Sequence, residues 1–299
     1  MKYALIADIH ANLEGLEVVL EDAQKNNCTH YVCLGDVVGY NPNPVECMNI
    51  VREIDMPCIM GNHDEYCGGT TDLSGFNPHA SHAIQWTRDQ LSDEQRDWLR
   101  RLKYLRMIAN FTIVHSTLDG PKRWGYVLSK LDAASSFTYQ NTGVCFFGHT
   151  HVPLAFVREQ NAVTGGKYDK FTVEKGKKYF VNVGSVGQPR DGDPRAGYVI
   201  YDLEAGTIEL RRLEYDVEKT QAKILEAGLP ERLAKRGRVS GRKPGGWPSA
   251  PAIRLPESWP GFSLHRTRGG AVQSCRPQGR KSHIRRGDRH HAAAQHCRR

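Results

Sequence analysis

Seven side chains carry donor atoms that divalent cations take from proteins: Asp8 and His10 in Asp8-Ile9-His10, Asp36 after Gly35, Asn62 in Gly61-Asn62-His63-Asp64, His115, and His149 and His151 in Gly148-His149-Thr150-His151. Carboxylate and amide oxygens are mixed with imidazole nitrogens, and no cysteine is among them. That mixture suits Mn²⁺, Fe²⁺, Zn²⁺ or Ni²⁺ better than Ca²⁺ or a closed thiolate zinc site. Two such cations about 3.5–4 Å apart, bridged by a central carboxylate, clamp a phosphoryl group and generate a hydroxide between them. Asp36 is the choice for the bridge. Each segment alone has a plainer reading, since Gly and Asn supply turns and Asp caps helices. Their order, and what precedes each of them, points to a two-metal hydrolytic site.

What precedes them is a set of short apolar runs rich in β-branched and aromatic residues: Tyr3 to Ala7, Tyr31 to Leu34, Cys58 to Met60, Phe111 to Val114 and Val144 to Phe147. Such runs read as buried strands. The polar residues follow at the strand ends, with His115 directly after its strand. In open α/β sheets, ligands bind outside the carboxyl ends of the strands, so five such termini would deliver these side chains to one rim.

The segments Asp-x-His, Gly-Asp, Gly-Asn-His-Asp, His and Gly-His-x-His resemble the signature of the calcineurin-like metallophosphoesterases, over roughly residues 1–235. Longer stretches are similar to the small bacterial and archaeal branch of that family: Asp8-Ile9-His10-Ala11-Asn12, Gly35-Asp36-Val37-Val38-Gly39-Tyr40-Asn41-Pro42 and Asn182 through Arg190. The resemblance implies a four-layer α/β/β/α sandwich, with two mixed β-sheets flanked by helices. It also implies that Asp8, His10, Asp36 and His151 hold one metal while Asp36, Asn62, His115 and His149 hold the other, with Mn²⁺ favoured.

Phosphate-ester chemistry then sets the remaining roles: in-line attack by a doubly ligated hydroxide, and a proton for the leaving alkoxide. His63 is the candidate donor, because it sits beside a ligand without being needed as one, and Asp64 is expected to orient its ring. The resemblance assigns the two residues the same roles. The expected activity is hydrolysis of a phosphodiester or a nucleotide phosphoanhydride. A phosphomonoesterase or protein phosphatase is the alternative within the class, and a non-catalytic metal-binding scaffold the alternative outside it.

Substrate contacts are read from less specific signals. Asn12 either caps a helix running through Leu13, Leu16, Val19 and Leu20 or approaches the phosphate, and the cap is preferred. Arg190 either binds phosphate or pairs with Asp191 or Asp193. Ser185, between Gly184 and Gly187, resembles a nucleophile-bearing turn, but no base follows it in a suitable pattern, so a tight turn is expected. The stretch from Glu65 to Arg106 reads as a helical lid insertion, with helices around Ala83, Ile84, Trp86 and Leu91 and around Trp98, Leu99 and Leu102. Its His79 and His82, one helical turn apart, are candidate substrate contacts, and Trp124 either stacks on a base or fills core.

Composition separates the chain into two parts. Between Gly237 and Arg299 there are 14 Lys+Arg against Glu257 and Asp288, a net of +12 that leaves −4 for residues 1–236 out of the total of +8. This tail is rich in Gly, Pro, Arg and His and lacks periodicity, so it is expected to be disordered. A basic arm that gathers nucleic acid is one reading. Out-of-frame translation is the preferred one, so no nucleic-acid partner is expected except through the tail. Residues 1–235 suffice for one catalytic α/β domain. No signal-peptide pattern and no apolar run of about 20 residues occurs, which leads to an expectation of a cytoplasmic protein without membrane contact. Cys28, Cys33, Cys47, Cys58, Cys67 and Cys145 are irregularly spaced and read as reduced thiols rather than a disulfide framework. Oligomeric state leaves no trace in the sequence.

Overall fold

The computed structural model describes residues 1–74 and 76–236; the basic tail from residue 237 onward lies outside the described residues. The chain runs β1 (Lys2–Ile6), α1 (Leu13–Lys25), β2 (His30–Cys33), α2 (Pro44–Glu53), α3 (Asn62–Gly68), α4 (Pro78–Gln90), α5 (Asp93–Arg100), β3 (Leu105–Ile108), β4 (Phe111–Val114), α6 (Lys130–Tyr139) and β5 (Val144–Phe147). It continues through β6 (Ala155–Glu159), β7 (Ala162–Gly166), β8 (Lys170–Thr172), β9 (Lys178–Asn182), β10 (Ala196–Asp202), β11 (Thr207–Leu213), α7 (Val217–Glu226) and α8 (Glu231–Arg236). One sheet has the order β2-β1-β10-β11-β8 and the other β3-β4-β5-β9-β6-β7. Both are mixed: β1–β2, β4–β5 and β5–β9 are parallel, and the remaining neighbours antiparallel.

The period of two along each strand sorts the core. In β5, Val144 and Phe146 enter a cluster shared with Tyr3, Leu5, Val199 and Tyr201 of the other sheet, whereas Cys145 and Phe147 enter a second cluster with Ala133 and Phe137 of α6. In β9, Tyr179 and Val181 face the first cluster and Phe180 the second. The strands therefore bury both faces, one against the partner sheet and one against helices, which is why they read as continuous apolar runs rather than alternating ones. The result is the expected layering of two mixed sheets between helices.

The expected local elements form with few exceptions. Helix α1 buries Leu16, Val19 and Leu20, and α4 and α5 occupy the stretch between Glu65 and Arg106. The run Cys58 to Met60, expected as a strand, contributes only isolated bridges, Cys33 with Cys58 and Ile59 with Lys103. Three residues at the margin of a sheet pair too briefly to build a ladder, yet they deliver Asn62 to the same rim. Among the described residues, no helix is long and apolar enough to cross a membrane, and six cysteines are free and buried.

Candidate metal centre

Three of the five polar segments leave their strands by a backbone that most residues avoid. Asp8, His10, Asp36, His149 and His151 all have φ between +48° and +66°. A side chain in the left-handed region costs of the order of 1 kcal/mol or more, and such residues persist where surrounding structure over-determines them. Here the loops are laced together: Asp8 N–H donates to Gly35 O at 3.0 Å, His10 N–H to Asp36 O at 2.9 Å, and Gly148 N–H to His115 O at 2.9 Å. Gly61 is required for close approach, since a Cβ there would stand 2.1 Å from Asp36 Oδ1.

Two overlapping sets of donor atoms result: Asp8, His10, Asp36 and His151, and Asp36, His115 and His149, each set within 4.8 Å of one another and buried. Asp36 Oδ2 lies 3.5 Å from His10 Nε2 and 3.4 Å from His115 Nε2, so one carboxylate oxygen belongs to both. The outer edge of each ring fixes its tautomer, because a backbone carbonyl can only accept. His10 Nδ1 faces Val38 O at 3.1 Å, His115 Nδ1 faces Leu34 O at 2.7 Å and His151 Nδ1 faces Gln188 O at 2.5 Å, which leaves Nε2 of each ring as the inward-facing nitrogen. His149 is reversed: its Nε2 donates to Trp124 O at 2.8 Å and Nδ1 is the free donor.

The chemistry of this donor set fits a divalent cation. His10 Nε2 and His151 Nε2 stand 3.1 Å apart. With both Nδ1 atoms protonated, two lone pairs face each other. A second proton on His10 is opposed, since burial, helped by His151, His63 and Arg190, outweighs Asp36 and holds the ring well below its ordinary pKa. A cation between the rings removes the repulsion. Asn62 Oδ1 and His115 Nε2 are likewise buried without a hydrogen bond, the cost of which a metal–ligand bond would cancel. Six of the seven residues singled out in the sequence, all but Asn62, fall into these two sets.

His63 is buried between His10 and Tyr40, with ring centroids 4.8 and 4.3 Å away. Its Nδ1 has no hydrogen bond, and burial, against the pull of Asp36, pushes its pKa down to about 4. Gly39 makes room for it: φ is +90°, and a Cβ would meet His63 Nδ1 at 2.5 Å. Asp64 does not orient this ring, contrary to expectation. Its Oδ2 accepts from Asp36 N and Gly61 N at 2.7 and 3.1 Å, and its Oδ1 from Val37 N and Val38 N at 2.9 and 3.3 Å. Four amide donors satisfy the carboxylate, which therefore shapes the Asp36 loop instead.

The other expected contacts divide. Asn12 is a helix cap: its Oδ1 accepts from Gly15 N at 2.9 Å and its Nδ2 donates to Gly187 O at 3.3 Å, which commits the side chain to structure rather than substrate. Arg190 pairs with neither Asp191, which takes Arg212, nor Asp193, which takes Arg195. It donates instead to Gln188 Oε1 at 3.0 Å and lies 6.0 Å above the Tyr40 ring. His79 lines a cleft of about 290 Å³ together with Tyr40, Tyr126, Arg190, Arg232 and Leu233. His82 is exposed and does not line it.

Several residues take positioning roles that the sequence does not assign. Trp124, left between stacking and core, holds His149 through its carbonyl and donates Nε1 to Glu65 Oε2 at 3.0 Å, while Glu65 Oε1 accepts from Tyr104 OH at 2.8 Å. Asn182 Nδ2 donates to Gly148 O at 2.6 Å and braces the Gly-His-x-His loop. Ser185 Oγ donates to Asp8 O at 2.9 Å and accepts from Gln188 N at 2.9 Å, a turn brace and no nucleophile. Tyr126 packs on His149 with centroids 4.5 Å apart. Tyr40, inside the Gly-Asp motif segment, and Asn182 and Ser185, inside the stretch Asn182 through Arg190, lay within recognisable patterns.

Comparison with known proteins bears on this arrangement. A family model described as the calcineurin-like phosphoesterase superfamily domain matches residues 1–206. An uncharacterised protein of Methanocaldococcus jannaschii is 36% identical over 237 residues, 78% of this chain and 96% of that protein. The crystal structure of a metallophosphoesterase from Sphaerobacter thermophilus is 39% identical with a TM-score of 0.71, covering 80% of this chain and 98% of that one. A protein of Pyrococcus horikoshii, 19% identical, superposes with a TM-score of 0.67 over 81% of this chain and 99% of its own, a likeness of fold alone.

Proposed function

The chain belongs to the calcineurin-like phosphoesterase superfamily, and from that premise we propose that it is a dinuclear metal-dependent hydrolase of a phosphodiester or a nucleotide phosphoanhydride. The observation that carries this reading is the shared oxygen: Asp36 Oδ2 is within 3.5 Å of His10 Nε2 on one side and His115 Nε2 on the other. Asp8, His10, Asp36 and His151 would hold one cation, and Asp36, Asn62, His115 and His149 the second. Their imidazole and oxygen donors suit Mn²⁺ first, then Fe²⁺, Zn²⁺ or Ni²⁺. When bound, such cations supply Lewis acidity toward the phosphoryl oxygens and acidify water.

The chain's own residues do the rest. The carbonyls behind His10, His115, His149 and His151 keep one nitrogen of each ring aimed inward. Asp64 fixes the Asp36 loop through four amides. His63 is the proton donor to the leaving oxygen, and an anionic ester beside the ring supplies the charge that favours its protonated form against burial. The stretch 65–106 forms one wall of the cleft through His79 on α4, which supports its reading as a lid over the substrate. Six buried thiols without a disulfide support a reducing compartment, the cytoplasm.

The test is hydrolysis of bis(p-nitrophenyl) phosphate and p-nitrophenyl phosphate by chelator-stripped protein, with Mn²⁺ and the other ions restored one at a time. Metal-restored turnover is expected, faster on the diester, and Asp36→Asn should lower it by about 10²–10⁴-fold. An Asp36→Asn protein with undiminished metal-dependent turnover overturns the site assignment, and faster monoester turnover overturns the diester preference.

A further inference from the structure

The cleft beside the centre is built by parts of the chain far apart in sequence, and its charge is one-sided. Arg190 reaches it from the loop after β9, and Arg232 from α8. Of the described residues that line it, none is a carboxylate. Arg232 is exposed and has no hydrogen bond or ion pair among the described residues, whereas nearby Lys235 pairs with Glu231 and Lys223 with Glu14. Its place is fixed by its neighbour: Leu233 is buried with Ile224, Leu229 and Ala83, and Tyr40 packs against the same cluster. The last described helix is thereby clamped to α4 and to the Gly39-Tyr40 turn.

The cleft adjoins the metal centre through its aromatic walls. Tyr40 packs on His10 and His63 with ring centroids 4.7 and 4.3 Å away, Tyr126 packs on His149, and the Arg190 N–H donates to His151 O at 3.1 Å. A scissile phosphate facing Asp36 and the inward histidines would have its neighbouring group in this space. Guanidinium forks bind phosphate oxygens in pairs, and two of them without a lining carboxylate make an anion site. The half-buried His79 adds a third donor.

We propose that Arg232 and Arg190 form a subsite for a second phosphate adjoining the scissile one, so that the enzyme selects nucleoside polyphosphates over esters with a single phosphate. This rests on the phosphoesterase reading for its kinetic consequence, but not for its binding consequence. Arg232 is therefore a specificity residue contributed by the last described helix.

The experiment compares wild-type full-length protein with Arg232→Gln. Calorimetric titration without added divalent metal, using ATP and AMP as probes, is expected to show ATP affinity falling about tenfold in the variant while AMP affinity is unchanged. The basic tail is common to both proteins and cancels. With Mn²⁺ restored, kcat/KM on ATP or diadenosine tetraphosphate should fall by a similar factor, mainly through KM, and by a larger factor than kcat/KM on bis(p-nitrophenyl) phosphate. Equal ATP affinity in both proteins overturns the subsite, as does an equal loss for AMP. Wild-type protein that binds ATP as expected but hydrolyses nothing leaves the subsite standing and sinks the phosphoesterase reading.

Discussion

Which nitrogen each histidine offers is decided by the atom behind the ring. Three rings turn Nδ1 to a backbone carbonyl and one turns Nε2, so the opposite nitrogen of each faces the centre before any cation arrives. On His115 that nitrogen is protonated, since against burial Asp36 raises the ring's pKa to about 10, and a cation would displace the proton. His63 differs, having Nδ1 without a hydrogen bond and the Gly39 backbone against it. That difference separates the proposed proton donor from the proposed ligands. Replacing His63 with Asn should lower kcat about 10²–10⁴-fold on an ester with an alkyl leaving group and less than about tenfold on a p-nitrophenyl ester, whose leaving group needs no proton. Equal losses on the two substrates would show His63 to be positional rather than acid.

Elements reach the site by tethering one another. Glu14, on α1 and 4% exposed, takes Lys223 Nζ at 2.5 Å and Lys219 Nζ at 3.0 Å from α7. Lys223 also donates to Asn43 Oδ1 at 3.1 Å, the residue before α2. Helices α1 and α7 thus share one buried carboxylate, the residue before α2 joins them through Lys223, and α7 leads to α8 and the cleft. Removing that carboxylate leaves Lys223 only Asn43 Oδ1, while Thr220 keeps Asp216 O and Lys219 is 54% exposed and screened by solvent, so Glu14→Ala should cost about 1–2 kcal/mol. Urea unfolding checks this. A loss below about 0.5 kcal/mol would mean that apolar contacts alone hold α7.

Stability of the whole molecule should depend on pH through the buried imidazoles. In the metal-free protein burial pushes His63 down to about 4 from an ordinary 6.5, and His149 likewise. Between those values the unfolded chain takes up protons at these two rings that the folded chain refuses, so their contribution is full above pH 6.5 and falls as pH is lowered toward 4. Asp64, raised to about 7, and His115, raised to about 10, act in the opposite sense as pH rises. His63 alone accounts for up to about 3 kcal/mol over that window. Denaturant midpoints of chelator-treated protein at pH 7, 6 and 5 should decline, and decline less steeply in His63→Asn. Identical slopes in the two proteins would show that this ring is not the group responsible.

The sequence by itself determined the family and singled out the candidate ligands, because side-chain chemistry at strand ends is local: Asp8, His10, Asp36, Asn62, His115, His149 and His151 each follow an apolar run and need no knowledge of their neighbours to be recognised. It likewise determined α1 through the spacing of Leu16, Val19 and Leu20, with Asn12 before them. Tertiary structure alone decided where the polar atoms are committed. Asp64 turned to the amides of residues 36–38 rather than to His63, Trp124 offered its carbonyl to His149, and Arg232 came beside Arg190 from the far end of the described chain. Hydrogen bonds between loops depend on how strands distant in sequence are laid side by side, and no periodicity along a single chain encodes that meeting.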